Sequence, residues 1–262
     1  MPDLRQLALE ALTECDPLNK CRLVQHMDLN GALDPQPQLQ PIGSIPGRPA
    51  RPELVPPSQL QQRKLNTVEG RAVMIHALAH IEFNAINLAL DIVWRFAGRP
   101  EAFYRDWLKV AQEEALHFQL LRDHLLTLGH DYGDFPAHNG LWLAAERTRH
   151  DLLARLALVP RTLEARGLDV TPGIHKKLVQ AGDTAAAGIL DIILRDEIGH
   201  VASGNHWYNW LCRQSNVLPQ QRYRELAAEY AMPLPKGPFN QSAREQAGFD
   251  AAELASWQPR AS

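Results

Sequence analysis

Two short segments of the chain pair an acid with an imidazole one helical turn apart: Glu114-Ala115-Leu116-His117 and Glu197-Ile198-Gly199-His200. At i and i+3 the carboxylate and the imidazole share one helix face. Either copy alone is ordinary, because both residue types are common on solvated helix surfaces. Two copies on separate long helices are half of a more specific pattern. One Glu plus one Glu-x-x-His, used twice, holds carboxylate-bridged pairs of iron or manganese inside helical bundles. Hard carboxylate oxygens with two imidazoles suit those metals better than one that seeks thiolate.

The pattern demands a further Glu on each remaining helix, and hairpin arithmetic selects them. In an antiparallel pair, residues at one level are equidistant from the turn. Glu82, an acid inside the apolar run His80-Ile81-Glu82-Phe83-Asn84-Ala85-Ile86-Asn87, matches Glu114/His117 if the turn is at Gly98-Arg99-Pro100. Glu146 matches Glu197/His200 if the turn is at Thr171-Pro172-Gly173, a segment that reads as a helix break. The rival acid, Glu164, would put the turn near Gly182, within a stretch that reads as helix; Glu146 is favoured, although Gly182-Asp183-Thr184 can also begin a helix. The expected metal ligands are therefore Glu82, Glu114, His117, Glu146, Glu197 and His200. Glu114 and Glu197 would bridge, Glu82 and Glu146 would be terminal, and each ion would take one imidazole. Burying these charges without a cation would cost several kcal/mol per ion. His124, seven residues after His117, could support the ligands from behind but reads more readily as a core histidine. His76, His80 and His206 read as structural, and Trp207 with Trp210 as packing at a hairpin end.

The elements that must position these side chains are helices. Thr67 to Ala97 is apolar around most of its circumference, which predicts a helix buried on more than one side. Glu101–Leu128, Leu141–Arg166 and Ile174–Cys212 follow as further helices, with a shorter one over Gln220–Tyr230 and a weak one over Asp250–Trp257. No run alternates with period two, so the fold class is all-α, and four long helices joined by short turns imply a bundle. Ahead of it, residues 3–28 read as an amphipathic helix or helix pair. Asp34 to Ser58 then carries eight prolines, from Pro35 to Pro57, which exclude helix and central strand. Leu39, Ile42, Ile45, Leu54 and Val55 give this stretch something to bury, so it reads as a strap across the bundle rather than a free linker. The expected organisation is residues 1–66 as helix and strap, 67–213 as bundle, and 214–262 as a C-terminal helix and tail.

Composition bounds the rest. The 262 residues carry 27 basic and 30 acidic side chains for a net charge of −3, with 45% hydrophobic residues, an ordinary globular balance. No nucleic-acid signature follows from that charge. There is no phosphate-cradling glycine loop, zinc-finger spacing or Gly-x-Ser-x-Gly elbow. Cys15, Cys21 and Cys212 show no CxxC spacing and suit a reducing compartment. The N-terminus lacks a secretory pattern and charges interrupt the apolar runs, so the expected location is the cytoplasm, with no membrane partner.

With those residues in view, the chain resembles the ferritin-like superfamily, and more closely the domain-of-unknown-function 455 family. The resemblance rests on Pro46-Gly47-Arg48-Pro49, His76-Ala77-Leu78-Ala79-His80-Ile81-Glu82, Glu113-Glu114-Ala115-Leu116-His117-Phe118, Tyr132-Gly133-Asp134-Phe135-Pro136-Ala137-His138, Leu163–Pro172 and Asp196-Glu197-Ile198-Gly199-His200-Val201. It covers nearly the whole chain and includes stretches outside the metal pattern. It implies a ferritin-like four-helix bundle with a di-metal site and names no substrate.

The leading functional expectation is a non-haem di-iron oxidoreductase that activates dioxygen or peroxide, with two iron ions, or manganese in their place, as cofactor. Its substrate, small molecule or macromolecule, is unassigned, and such chemistry calls for an electron donor. The alternatives are a ferroxidase or iron-handling protein, and a structural bundle that the metal only staples. Extensions of about 65 residues before the bundle and about 50 after it favour an enzyme over a storage shell, and a monomer or homodimer over a cage.

Overall fold

The structure is a computed structural model that describes residues 3–41, 43–60 and 63–257. Those residues are helical or looped, with a single isolated parallel bridge, Leu54 to Ala137, in place of any sheet. The all-α reading holds. The chain divides into two compact units, Met1–Trp142 with Gln180–Ile189, and Leu143–Val179 with Leu190–Ser262.

In the first unit, α1 (Leu4–Thr13) and α2 (Pro17–Gln25) precede the long helices α3 (Val68–Arg95) and α4 (Glu101–Thr127). Thr67 starts α3 by accepting a hydrogen bond from Gly70 N at 3.0 Å. As its sequence implies, α3 is buried almost all round, from Ile75 and Phe83 to Leu90 and Val93. It is long and apolar enough to cross a membrane by length and composition, but 72% of its most apolar window is buried inside the protein. The turn to α4 passes through Gly98 at φ +72°, a left-handed conformation that glycine adopts without strain. Tyr104 Oη donates to Phe96 O across that turn at 2.9 Å. α3 and α4 then pack along their length, α1 lies on α3 and α2 on α4.

The proline-rich stretch is tied to this unit mainly through its backbone. Arg5, fully buried, donates through Nε to Val93 O and through Nη2 to Trp94 O, closing the end of α3, while Nη1 faces the carbonyls of Asp34, Pro35 and Pro37. Trp94 Nε1 donates to Leu39 O, Gly98 N to Pro35 O, and Val55 N to Ala137 O. Gly47 runs so close to α1 that a Cβ there would stand 2.1 Å from Thr13 O. The expected aliphatic anchors matter less. Leu39, Ile45 and Val55 are half-buried and Leu54 is exposed, whereas Pro46 and Pro52 are buried; Ile42 lies outside the described residues.

In the second unit the continuous helix expected over Leu141–Arg166 is broken into α5 (Gly140–Arg147), α6 (Leu152–Leu158) and a π-helical turn, Val159–Glu164. Asp151 caps α6 by accepting from Ala154 N at 3.0 Å. Arg155 reaches back to Thr148 Oγ1 and Ala145 O, satisfying the end of α5. Pro160 has no N–H and its ring crowds an ordinary helical turn, and the wider π turn absorbs both defects.

The break expected at Thr171-Pro172-Gly173 does not exist. α7 (Ala165–Gln180) runs straight through Pro172. The carbonyl that Pro172 leaves without its helical donor, Leu168 O, accepts from Asn240 Nδ2 at 3.1 Å. The turn comes instead at Gly182, φ +79°, and α8 (Thr184–Gln214) starts at Asp183, whose Oδ1 accepts from Ala186 N. His124 pairs with that Asp183 at 3.0 Å, as does Arg71 at 3.4 Å, so His124 anchors a helix start. α9 (Pro219–Glu229), α10 (Gln241–Gln246) and α11 (Ala251–Trp257) complete the chain. Arg244 of α10 is buried and clamps Asp169 of α7 at 2.7 and 2.9 Å.

Candidate metal centre

The α3–α4 hairpin brings Glu82, Glu114 and His117 together, as the turn at Gly98-Arg99-Pro100 requires. His117 Nδ1 lies 3.3 Å from Glu114 Oε2 and 3.5 Å from Glu82 Oε2. One ligating atom from each of the three falls within 4.8 Å of the others. The site is dry: Glu82, Glu114 and His117 are 4%, 1% and 0% exposed. Glu82 Oε2 is buried without a hydrogen bond.

Two carboxylates so placed cannot both carry charge cheaply. Burial, and then the Glu114 charge, push the Glu82 carboxyl well above its ordinary range. Burial alone would lower the His117 imidazole, but its contact with Glu114 and the charges of Glu114 and Glu82 outweigh it and raise it to about 11. The site therefore gathers protons wherever it lacks another cation. A buried cluster of hard oxygens and one imidazole, short of positive charge, fits a divalent metal ion.

In the second unit, α8 carries the other motif. His200 Nδ1 lies 3.7 Å from Glu197 Oε1, with His200 1% exposed. Asp196 turns away to Arg195. Two contacts set the level of this motif against the segment before it. A Cβ on Gly204 would stand 2.7 Å from Pro160 Cβ, and His175 Nε2 lies 3.3 Å from Asp191 Oδ1. Both pairs are centred on the Gly182 turn, and the same arithmetic sets Glu164, last residue of the π turn, level with His200. Glu146 is exposed on α5, and the turn that would have placed it beside His200 is absent. Glu146 would need Pro172 to stop the helix, and α7 continues past it with Leu168 O held by Asn240.

The profile of the DUF455 family, described as a protein of unknown function, matches residues 13–255. The chain belongs to the DUF455 family. An uncharacterized protein of Haemophilus influenzae is 49% identical over 260 residues, 93% of this chain and 90% of that protein. No solved structure gives a significant match.

In this DUF455 protein three aromatic rings pack together beside the helix positions that carry the cluster. Phe83 and Phe118, each next to a cluster residue, pack against one another at 5.6 Å, and Tyr132 closes on both at 5.5 and 5.0 Å. Tyr132 Oη meets His80 Nδ1 at 2.8 Å, and His80 Nε2 lies 3.2 Å from His138 O, a carbonyl that can only accept. Gly133 N donates to His76 Nε2 at 2.9 Å. Burial holds His76 and His80 down to about 4, so both are neutral packing groups, as their apolar setting implied. Tyr132 opens the Tyr132–His138 segment, and its loop is tied to α3 by His76 and His80.

Proposed function

We propose that this DUF455 protein is a ferritin-like carboxylate–histidine metalloprotein. It holds two iron or manganese ions and uses them in an oxidation that consumes dioxygen or peroxide. Glu82, Glu114 and His117 would hold one ion, and Glu197, His200 and a sixth carboxylate the other. For the sixth ligand we take Glu164 over Glu146, because the Gly204–Pro160 contact gives Glu164 the level of His200 while Glu146 is solvated. A π turn is a frequent device for aiming a side chain at a functional site. The observation that carries the reading is the dry, proton-hungry cluster of Glu82, Glu114 and His117.

Bound iron would supply two-electron redox chemistry. The chain's own residues do the rest. Glu82 and His117 hold protons while the metal is absent and release them as it binds. The burial of Glu82, Glu114 and His117 keeps bulk water from this side of the site. Free cysteines, of which Cys21 and Cys212 are buried, accord with work in a reducing cytoplasm. The test is dioxygen uptake by protein loaded anaerobically with ferrous ion. Rapid uptake that Glu114→Gln abolishes supports the reading, and uptake no faster than that of free ferrous ion overturns it.

A further inference from the structure

A pocket of 630 Å³ opens in the second unit between the end of α8, the first turn of α9 and the segment Gly248–Glu253. That size suits a small organic ligand. Its floor is an ion pair. Arg161 donates through Nη2 to Glu253 Oε2 and through Nη1 to Asn205 Oδ1. The guanidinium is caged by Phe249 at 4.7 Å and by Tyr208 and Tyr223 at 5.3 Å. Both charged residues are over nine-tenths buried, so neither can swing out into water. Two atoms of the pair are left over: Arg161 Nε and Glu253 Oε1 are both buried with no hydrogen-bond partner. A buried carboxylate oxygen without a donor is costly, and a ligand N–H would relieve it.

The wall has the opposite character. α9 begins at Pro219 with Leu218 before it, no side chain caps it, and its first turn holds no acid. The N–H groups of Gln220 and Gln221 head the helix on the pocket wall and carry the positive end of its dipole. Arg224, one turn on, lies 3.4 Å from Ser256 Oγ and has no ion pair among the described residues. The other acids here are engaged. Glu225 accepts from Gln221 and Arg222, and Asp250 Oδ1 accepts from Ala252 N and Glu253 N. These acids keep their charge, so the positive character is local to the first turn of α9 and Arg224, and Glu253 Oε1 is the acid oxygen left without a donor in the floor.

We propose that this pocket binds a small zwitterion with neighbouring carboxylate and ammonium groups, an α-amino acid, its carboxylate at the first turn of α9 and Arg224 and its ammonium over Glu253. No residue of the pocket belongs to the proposed metal centre, so the two readings fail separately. The probes are the proteinogenic L-amino acids, tested one at a time by ligand-observed NMR and then calorimetry on the full chain. Each binder is compared with its N-acetyl derivative and with the amine that lacks its carboxylate. At least one free amino acid should bind with a Kd of about 10 mM or tighter, and both analogues should bind at least about tenfold more weakly. Arg224→Gln, at an exposed position, should weaken binding by about tenfold or more without shifting the melting temperature. Glu253→Gln, if it folds, should weaken the free amino acid more than the N-acetyl derivative. Absence of any binder, equal binding of the analogues, or an unchanged affinity in Arg224→Gln would overturn the proposal.

Discussion

Gly204 of α8 meets Pro160 of the π turn so closely that an added methyl would stand 2.7 Å from the proline Cβ. This contact joins the helix bearing Glu197 and His200 to the turn that ends in Glu164, and it tolerates no side chain.

The first prediction follows from it. Gly204→Ala must push the π turn outward, at a cost of about 1–3 kcal/mol by the measure of overpacked cores. Gly188→Ala on the same helix meets nothing within 4 Å and should stabilise by up to roughly 1 kcal/mol. Chemical unfolding of the two variants checks the contrast, and equal effects would mean that the close approach is not present in solution.

A second prediction concerns the sixth ligand. Glu164→Gln should lose about half of the bound metal and Glu146→Gln none, read by metal analysis after dialysis. The reverse result would restore Pro172 as the end of the helix.

Acid should unfold the protein partly through His76. Its folded pKa of about 4 lies below the unfolded value near 6.5, so between those pH values the unfolded chain binds the extra proton. Stability from this group is complete above about pH 6.5 and is lost as the pH falls towards 4, up to roughly 3 kcal/mol in all. His76→Gln keeps an acceptor near Gly133 N but does not titrate. Urea unfolding at about pH 5 and pH 7 should show a smaller difference for the variant than for the parent.

Arg5→Lys should release the strap. Five carbonyls converge on the guanidinium, and an ammonium cannot span them. The expected loss is about 2–4 kcal/mol, and hydrogen exchange should quicken at Gly98 N, which the strap's Pro35 holds. Unchanged exchange there would show that the strap is fixed by other contacts.

Much of this was readable in the sequence because it depends on local chemistry. The α3–α4 hairpin was legible from the apolar run around Glu82 and the Gly98-Arg99-Pro100 turn, which fix register without help from elsewhere. The second half was not. Whether Pro172 stops a helix depends on Asn240, about seventy residues away, which satisfies Leu168 O. A π turn has no short-range pattern of its own. Pro160 marks it only once Gly204 is known to lie opposite. Arg5 likewise reads as one polar residue on an amphipathic helix until the strap's carbonyls are seen to converge on it.

The central claim is tested most directly by counting metal ions. Demetallated protein is titrated anaerobically with ferrous or manganous ion, with stoichiometry and melting temperature read together. The account predicts two ions per chain, and fewer in Glu114→Gln. Binding to the native state alone adds about 4 kcal/mol at a thousandfold excess over Kd, or roughly 10 °C for a chain of this length, with magnesium much less effective. A chain that takes up no ion, and whose melting temperature ignores ferrous and manganous ion alike, would contradict it.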